Sequence, residues 1–543
     1  MTCGGQLVPE RRSSRRRATI AGLILALALA GAVLARAPTG APTRLPGSPP
    51  YLTVFLIDGL SETVFERELT AGRLPALQRL IEEGRYVPHG IASFPSMTGF
   101  GFYPFLTGHD AAGSGVLGLR WFDGTRNGSN FRNYVGRSNR TMDGDFAALP
   151  PTLFECFPDE HSYAINSYAN RGVDRVEYTT WPFIAAKYRD RHWLPRALAR
   201  LPWLGPELMP VWEEAESTVV RLATADLPRR PKVQWITFSS PDTYSHVFGP
   251  DERYAALIRA IDGLIAAYRR QSEALGLEAD RLYLVASDHG VVAVSHNVDL
   301  RLALRRLGLR AWRGESVYFL MSQLERPRDS WDGQDAVIAI NGNTMAYVYL
   351  LSESARRRRG EVARSLQASP GTELVIWRAD RGAVTVQGSR GESVIQSEAS
   401  GLAYSVRRGV DPLGYCEGAV VGTLCDGTPR SPEAWLAATH DLGFPYAVPR
   451  LFTLMSQQNV GDFVVTAAPG YDLAADYEVI VGNYLGGHGG LRADQLRVPY
   501  VLSGAGIAPG RQETARAEDI GAMLTGLLGC PGARPTAPSP AGQ

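Results

Sequence analysis

Lysine is nearly absent from this chain: Lys187 and Lys232 are the only two in 543 residues, and arginine carries almost all the positive charge. That skew, together with the many alanines, follows genomic base composition rather than function. Net charge is also missing, at +1. Nothing global therefore points to a nucleic acid polymer or to an acidic partner. No internal repeat is visible, which argues against a repeat architecture. What remains is ordinary for a globular protein with a large core: 45% apolar and 20% charged residues. The length suggests about two to four domains, a number that large α/β enzymes often escape.

Long uncharged apolar runs are missing too, with one exception near the N-terminus. "RRSSRRR" at Arg11–Arg17 precedes the run Ala18–Ala35, and "ARA" follows at Ala35–Ala37. A basic region, an apolar region and an A-x-A site describe a secretory signal peptide over residues 1–37. The alternative is membrane anchoring through residues 18–35, because 18 residues is near the lower limit for a spanning helix. On either reading the body of the protein is exported, to the periplasm or the extracellular space. Cysteine is scarce but agrees with export. Cys3 lies in the leader, and Cys156, Cys416, Cys425 and Cys530 remain, an even number for an oxidising compartment. Cys416 and Cys425 enclose a short Gly-containing loop and pair first. A Cys156–Cys530 pair then follows only by elimination among three connectivities.

Residues 38–50 form a Pro/Gly/Thr linker. "YLTVFLIDG" (Tyr51–Gly59), "VQWITFSSPD" (Val233–Asp242) and "RLYLVASDHG" (Arg281–Gly290) are apolar strands that stop at polar residues. "VPYVLSGAGI" (Val498–Ile507) is a late strand. Amphipathic helical patterns at Leu74–Gly84 and Arg253–Arg270 separate the early strands. This alternation predicts an α/β fold with a mostly parallel central sheet and helices on both faces. Residues 311–480 read differently. "AVIAINGNTMAYVYLL" sets Asn-Gly between two β-rich runs, a hairpin signal. "ELVIWRADRGAVTVQGSRGESVI" reads as a meander with Gly turns. The expected division is a catalytic core over 51–310 and 481–530, a mixed strand-containing insertion or cap over 311–480, and a disordered tail over 531–543.

Three strands end in aspartate: Asp58, Asp242 and Asp288. In open parallel sheets the carboxyl ends of the strands face the ligand crevice. Three carboxylates gathered there repel one another unless cations neutralise them. His246 follows Asp242 by four residues, His289 adjoins Asp288, and His488 stands in "GGHGG". A lone strand-end aspartate is ordinarily a cap or a turn residue. The joint occurrence on three strand ends is what carries the metal reading. Mixed Asp/His ligation suits zinc or a comparable divalent ion. Six such ligands exceed one tetrahedral site, which indicates two ions.

"FLIDGL", "PDTYSHVFGP", "ASDHGV" and "GGHGG", in that order, resemble the alkaline phosphatase superfamily, and most closely its type I phosphodiesterase/nucleotide pyrophosphatase branch. The resemblance covers about Tyr51–Leu300 and Val481–Ile507. It implies two metals, commonly zinc. One would be held by Asp242, His246 and His488, and the other by Asp58, Asp288, His289 and the oxygen of a nucleophilic hydroxyl. It also implies where that hydroxyl lies, because a Leu-Thr-Gly turn follows the nucleophile with its glycine ten residues on. Here the turn ends at Gly108, which points to Thr98, in "SFPSMTGFGFYPFLTGHD" (Ser93–Asp110). Ser96 is the runner-up and Ser93 the third candidate. The absence of cysteine at position 98 argues against a formylglycine sulfatase.

One departure stands out. Where the branch usually carries an asparagine beside a phosphoryl oxygen, this chain has Leu119. Arg120 is the candidate replacement donor, and Asn133 a second. The expected function is hydrolysis of small-molecule phosphate esters, diesters first, through a covalent phospho-threonine. The rivals are a phosphomonoesterase, a phosphonate or sulfate-ester hydrolase, a phosphoglycerol-type transferase, and a pseudoenzyme that binds anions or a partner.

Overall fold

The computed structural model describes residues 50–123, 130–134, 142–179, 205–313, 331–417, 424–475 and 483–530. The expected leader, nearly all of the linker and the tail lie outside them. Among the described residues no helix is long and apolar enough to cross a membrane.

The apolar runs read from the sequence become the centre of the main sheet. Strand β1 (Tyr51–Ile57) is followed by β2 (Arg85–Ile91), β3 (Ser162–Ile165), β4 (Arg175–Glu177), β5 (Val233–Phe238), β6 (Arg281–Ala286) and β7 (Arg497–Gly504). Their order across the sheet is β2-β7-β6-β1-β5-β3-β4, with two short strands, Gly510–Arg511 and Thr514–Arg516, along the outer side of β2. β1 lies parallel between β5 and β6. The late strand β7 departs from the parallel pattern, since it runs antiparallel to both β6 and β2.

β1 has apolar residues at both parities because both of its faces are covered. Leu52, Val54 and Leu56 enter one hydrophobic cluster together with Phe105 and Leu524. Phe55 and Ile57 enter another with Val219, Ile258 and Ile261. Each fully buried side chain of this kind contributes about 1.5–3 kcal/mol. The helix Gly205–Asp226 and a second helix, Glu252–Ala274, pack on one face, while Ala517–Leu528 packs on the other.

Residues 311–467 supply every strand of a separate eight-stranded sheet. Its hairpin pairs Ala336–Asn341 with Met345–Leu350 around the Asn-Gly turn, as the spacing predicts. Thr372–Arg378, Val384–Gln387, Gly391–Glu398 and Gly401–Gly409 follow as an antiparallel meander. This sheet shares a hydrophobic cluster with the main one: its Tyr347 packs in the same cluster as Val54 of β1.

Both expected cysteine pairs are disulfides, with Cα–Cα distances of 5.3 Å for Cys156–Cys530 and 5.4 Å for Cys416–Cys425. They close loops of very different size, with sequence separations of 374 and 9. In the chain-entropy account the long loop is worth about 6 kcal/mol and the short one about 3. Cys530→Ala should therefore lower the melting temperature more than Cys416→Ala, in calorimetry under non-reducing conditions. The opposite ranking would show that strain or residual denatured-state structure governs instead.

Candidate active site and metal centre

Three parallel strands in register deliver three carboxylates to one edge. Ile57 of β1 lies opposite Phe238 of β5, and Leu56 lies opposite Ala286 of β6. Asp58 follows β1 directly and Asp288 follows β6 by two residues. Asp242 sits in the first turn of helix α1 (Ser240–Phe248), which begins just after β5. One helical turn further on, His246 shares its face. The Asp58 loop passes close to this helix. Gly59 has φ +68°, and a Cβ there would stand 2.9 Å from Val291 Cγ1 and 3.0 Å from Asp242 Cβ, so the Asp-Gly pair is a steric requirement. His488 follows the short strand Gly486–Gly487, which pairs with Val292–Asn297 immediately beyond the Asp-His-Gly segment.

All seven metal and nucleophile candidates converge. His289 Nε2 lies 3.4 Å from Asp58 Oδ1 and 3.5 Å from Asp288 Oδ2. Asp242 is 3.3 Å from His246 Nε2 and 3.7 Å from His488 Nε2. The rings of His289 and His488 stack at 3.6 Å. Two groups could each hold an ion: Asp58, Asp288 and His289, and Asp242, His289 and His488. The second differs from the resemblance-based set, with His289 where His246 was expected. His289 thus stands between both groups, and His246 flanks Asp242 from α1.

The donor set suits a metal. Each histidine donates its Nδ1–H to a backbone carbonyl: His246 to Gly486, His488 to Ser96 and His289 to Gly290. That fixes the tautomer with the Nε2 lone pair facing the centre. Both oxygens of Asp288 and Oδ1 of Asp242 are buried without a hydrogen-bond partner. Such groups are costly unless a cation compensates them. Burial, then the charges of Asp288 and Asp242, hold the Asp58 carboxyl well above the usual range. Burial and Asp242 do the same to Asp288. Burial also pushes Asp242 up, but the imidazoles of His246 and His488 outweigh it and hold this carboxyl low. Burial brings His488 down to about 4.

Thr98 is the hydroxyl that reaches the centre. Its Oγ1 donates to Asp58 Oδ1 at 3.3 Å and lies 3.1 Å from His289 Nε2. No helix begins at Thr98 itself. Phe100–Phe102 forms a 3-10 turn, and the helix Tyr103–Thr107 comes later and ends in the Leu-Thr-Gly turn. Ser96 is engaged elsewhere, donating to Gly490 O and accepting from Gly489 N. Arg120 and Asn133 face each other across one short hairpin. Arg120 is buried against the second sheet, where its Nη1 donates to Ile340 O.

Sequence reasoning missed three supports of the site. Ser287 Oγ accepts from Leu60 N and donates to His289 O, tying two ligand loops together. The hydroxyl of Tyr254 donates to Gly59 O and accepts from Ser61 N. Glu216, on the helix Gly205–Asp226, accepts from Ser240 N at the start of α1, and burial pushes its carboxyl up to about 7. Ser287 adjoins a motif and could have been suspected. Tyr254 and Glu216 lie in helices with no spacing to any motif.

A profile of the type I phosphodiesterase / nucleotide pyrophosphatase family matches residues 52–490. No curated protein matches the sequence. Human ectonucleotide pyrophosphatase/phosphodiesterase 5 superposes with a TM-score of 0.52 at 14% identity, covering 90% of this chain and 97% of that one. The murine protein gives 0.51 at the same identity and coverage. An inactive variant of the murine protein in complex with AMP gives 0.52, again at 14% identity with the same coverage. At that identity these structures support the fold alone. The profile spans most of the chain and takes in all seven converging residues; the chain belongs to the type I phosphodiesterase / nucleotide pyrophosphatase family of phosphoric ester hydrolases.

Proposed function

We propose that this chain is an exported hydrolase of small phosphate esters, diesters first, that holds two divalent ions and works through a covalent phospho-threonine at Thr98. The observation that carries the reading is the position of Thr98 Oγ1, within 3.3 Å of Asp58 and 3.1 Å of His289 in a centre of three carboxylates and three oriented imidazoles. Asp242, His246 and His488 would hold one ion. Asp58, Asp288, His289 and the Thr98 oxygen would hold the other, with His289 near enough to serve either. Zinc is the expected metal for this Asp/His set. When bound, such ions neutralise charge at the attacking and leaving oxygens.

Thr98 points its proton at Asp58 Oδ1, so a lone pair of Oγ1 is available to phosphorus. A P–Oγ1 bond forms in line as the bond to the leaving oxygen breaks, and the proton lost from Oγ1 departs, overall, on the leaving alcohol. Water then attacks the phospho-threonine from the opposite face and restores the hydroxyl. Arg120 and Asn133 are proposed as phosphoryl donors, which for Arg120 requires guanidinium N–H groups other than the Nη1–H given to Ile340 O. A nucleotide ester is a reasonable member of the substrate class, given the AMP complex of the murine relative. Residues 51–310 and 481–530 are proposed as the catalytic core, and 311–480 as a cap. Residues 1–37 are proposed as a signal peptide, or as an anchor through 18–35, and the two disulfides agree with export.

A panel of p-nitrophenyl mono- and diesters with zinc-loaded protein tests the reading. Diester turnover is expected to exceed monoester turnover. No turnover of either ester by fully loaded protein would favour a binding role.

Acidification should strip the two ions in separate steps. Protons compete with metal for each ligand, so a raised carboxyl loses its ion at a higher pH. Asp58 and Asp288 are raised, whereas Asp242 is low and His488 protonates only near pH 4. The Asp58/Asp288 ion should leave first as pH falls. Zinc release followed with a chromophoric chelator should show two steps; a single step for both ions would contradict this order.

A further inference from the structure

His488 is carried by the most glycine-rich backbone in the centre. Glycines flank it on both sides, at 486, 487, 489 and 490. Glycine has the most conformational freedom to lose, so a ligand in such a loop has to be held by something outside it. The glycines cannot simply be replaced by stiffer residues. Gly489 has φ +103°, and a Cβ there would meet Asn341 O at 2.4 Å.

The holding groups come from three places, two of them distant in the chain. Ser96 Oγ accepts from Gly489 N at 2.9 Å and lies 3.1 Å from Gly490 O, while the Ser96 carbonyl accepts from His488 Nδ1 at 2.8 Å. Gln495 Oε1 accepts from Gly490 N at 2.7 Å. Thr344 lies in the hairpin turn of the second sheet. Its N–H donates to His488 O at 3.2 Å, and its hydroxyl stands 2.5 Å from His488 O and 2.6 Å from Gln495 Oε1. In the same turn Gly342 O accepts from His488 N at 2.9 Å. Ser96, Thr344, Gln495 and His488 are all buried. Every one of these bonds is therefore shielded from competing water.

We infer that Ser96, Thr344 and Gln495 are positioning residues that hold the His488 imidazole at the metal centre, and that Ser96 ties this loop to the nucleophile two residues downstream. The hairpin of the second sheet then has a task at the centre beyond covering it: it supplies one wall of the loop that carries His488. Ser96, which spacing alone made a rival nucleophile, acts through His488 and not on phosphorus. The Ser96 carbonyl bonds the imidazole itself, and loss of such a partner typically changes metal affinity about 10- to 100-fold; the three side chains act through the backbone that carries the ring, so their effects should fall at the low end of that range.

The inference rests on the proposed role of His488 as a ligand, and the test separates the two. Zinc affinity of the full exported chain is measured by competition with a chelator, alongside the melting temperature of the chelated protein. Ser96→Ala and Thr344→Val should each weaken one of the two zinc sites by about 10-fold, the low end of the range for lost support of a ligating histidine. Thr344→Ser, which keeps the hydroxyl, should stay within a few-fold of the parent. A purely structural role would instead lower the melting temperature of the metal-free protein and leave zinc affinity alone. His488→Ala is the control. If it weakens one site while Ser96→Ala and Thr344→Val do not, the positioning inference fails. If His488→Ala itself leaves both sites intact, the ligand reading fails first and the inference falls with it.

Discussion

Thr98→Ala should lower ester hydrolysis by several orders of magnitude while zinc stays bound. Removing the oxygen removes the bond that splits one hard step into two easier ones, and neither Ser96 nor Thr107 offers a replacement. Ser96 is committed to Gly489 and Gly490, and Thr107 donates to Tyr103 O within its own helix. Metal retention is expected because six carboxylate and imidazole groups remain. Thr98→Ser should keep part of the activity, since it retains the oxygen but loses the methyl that restricts the rotamer. Its deficit should appear in kcat more than in KM. Ser96→Ala should behave differently from both, losing activity together with zinc and regaining it when zinc is added in excess. If Thr98→Ala instead kept near-parental turnover, the phospho-threonine route would be refuted and attack by water would take its place. Trapping labelled phosphate on the chain after an acid quench separates these routes directly.

The candidate metal centre was legible because its residues sit where strands must stop. Asp58, Asp242 and Asp288 end apolar runs, and parallel pairing in register forces such ends to one edge. His246 and His289 are bound to them by sequence distance alone. His488 was legible only as an oddity, a histidine among glycines. The residues that hold it were not, since Thr344 lies in a hairpin turn and Gln495 in a four-residue helix, each unremarkable locally. Long-range contacts of this kind leave no period in the chain. The direction of β7 was hidden for a similar reason: an apolar strand reads the same whichever way it runs. The extent of the second sheet was partly visible in its turns. Its continuity with the main core was not, because sharing of a hydrophobic cluster between Val54 and Tyr347 depends on how the sheets pack.

Arg450→Met should destabilise the protein toward the lower end of the about 3–5 kcal/mol that breaking a buried ion pair costs, since Glu518 is half-buried and keeps Arg516 nearby. Arg450 lies on the helix Ala447–Met455 and is 1% exposed. Its Nη1 is 2.6 Å from Asp110 Oδ2 and 2.9 Å from Glu518 Oε1, and its Nη2 donates to Glu518 Oε2 at 2.9 Å and to Ala92 O at 3.1 Å. One guanidinium thereby joins three segments: the end of the nucleophile stretch, the C-terminal helix Ala517–Leu528, and a helix from the region read as an insertion. Methionine keeps much of the volume but none of the charge, so Glu518, a half-buried carboxylate, would keep only the more distant Arg516, 3.8 Å away. Burial already raises Glu518 above its ordinary value even with Arg450 opposing the shift. Without Arg450 it should rise further and take up a proton. The sign follows from linkage. A carboxyl whose folded pKa is raised binds protons more tightly in the native state, so its penalty is absent below the unfolded pKa of about 4.5 and grows as pH rises toward the folded value. The variant should therefore be closest to the parent near pH 4–5 and fall furthest behind above pH 7. Adding Glu518→Gln should recover much of the loss at neutral pH and little at acid pH. Melting temperatures of the parent and of both variants across this range, with disulfides intact, provide the check. A deficit in Arg450→Met that is small and independent of pH would mean that water reaches Glu518 and that the triad does not join the three segments.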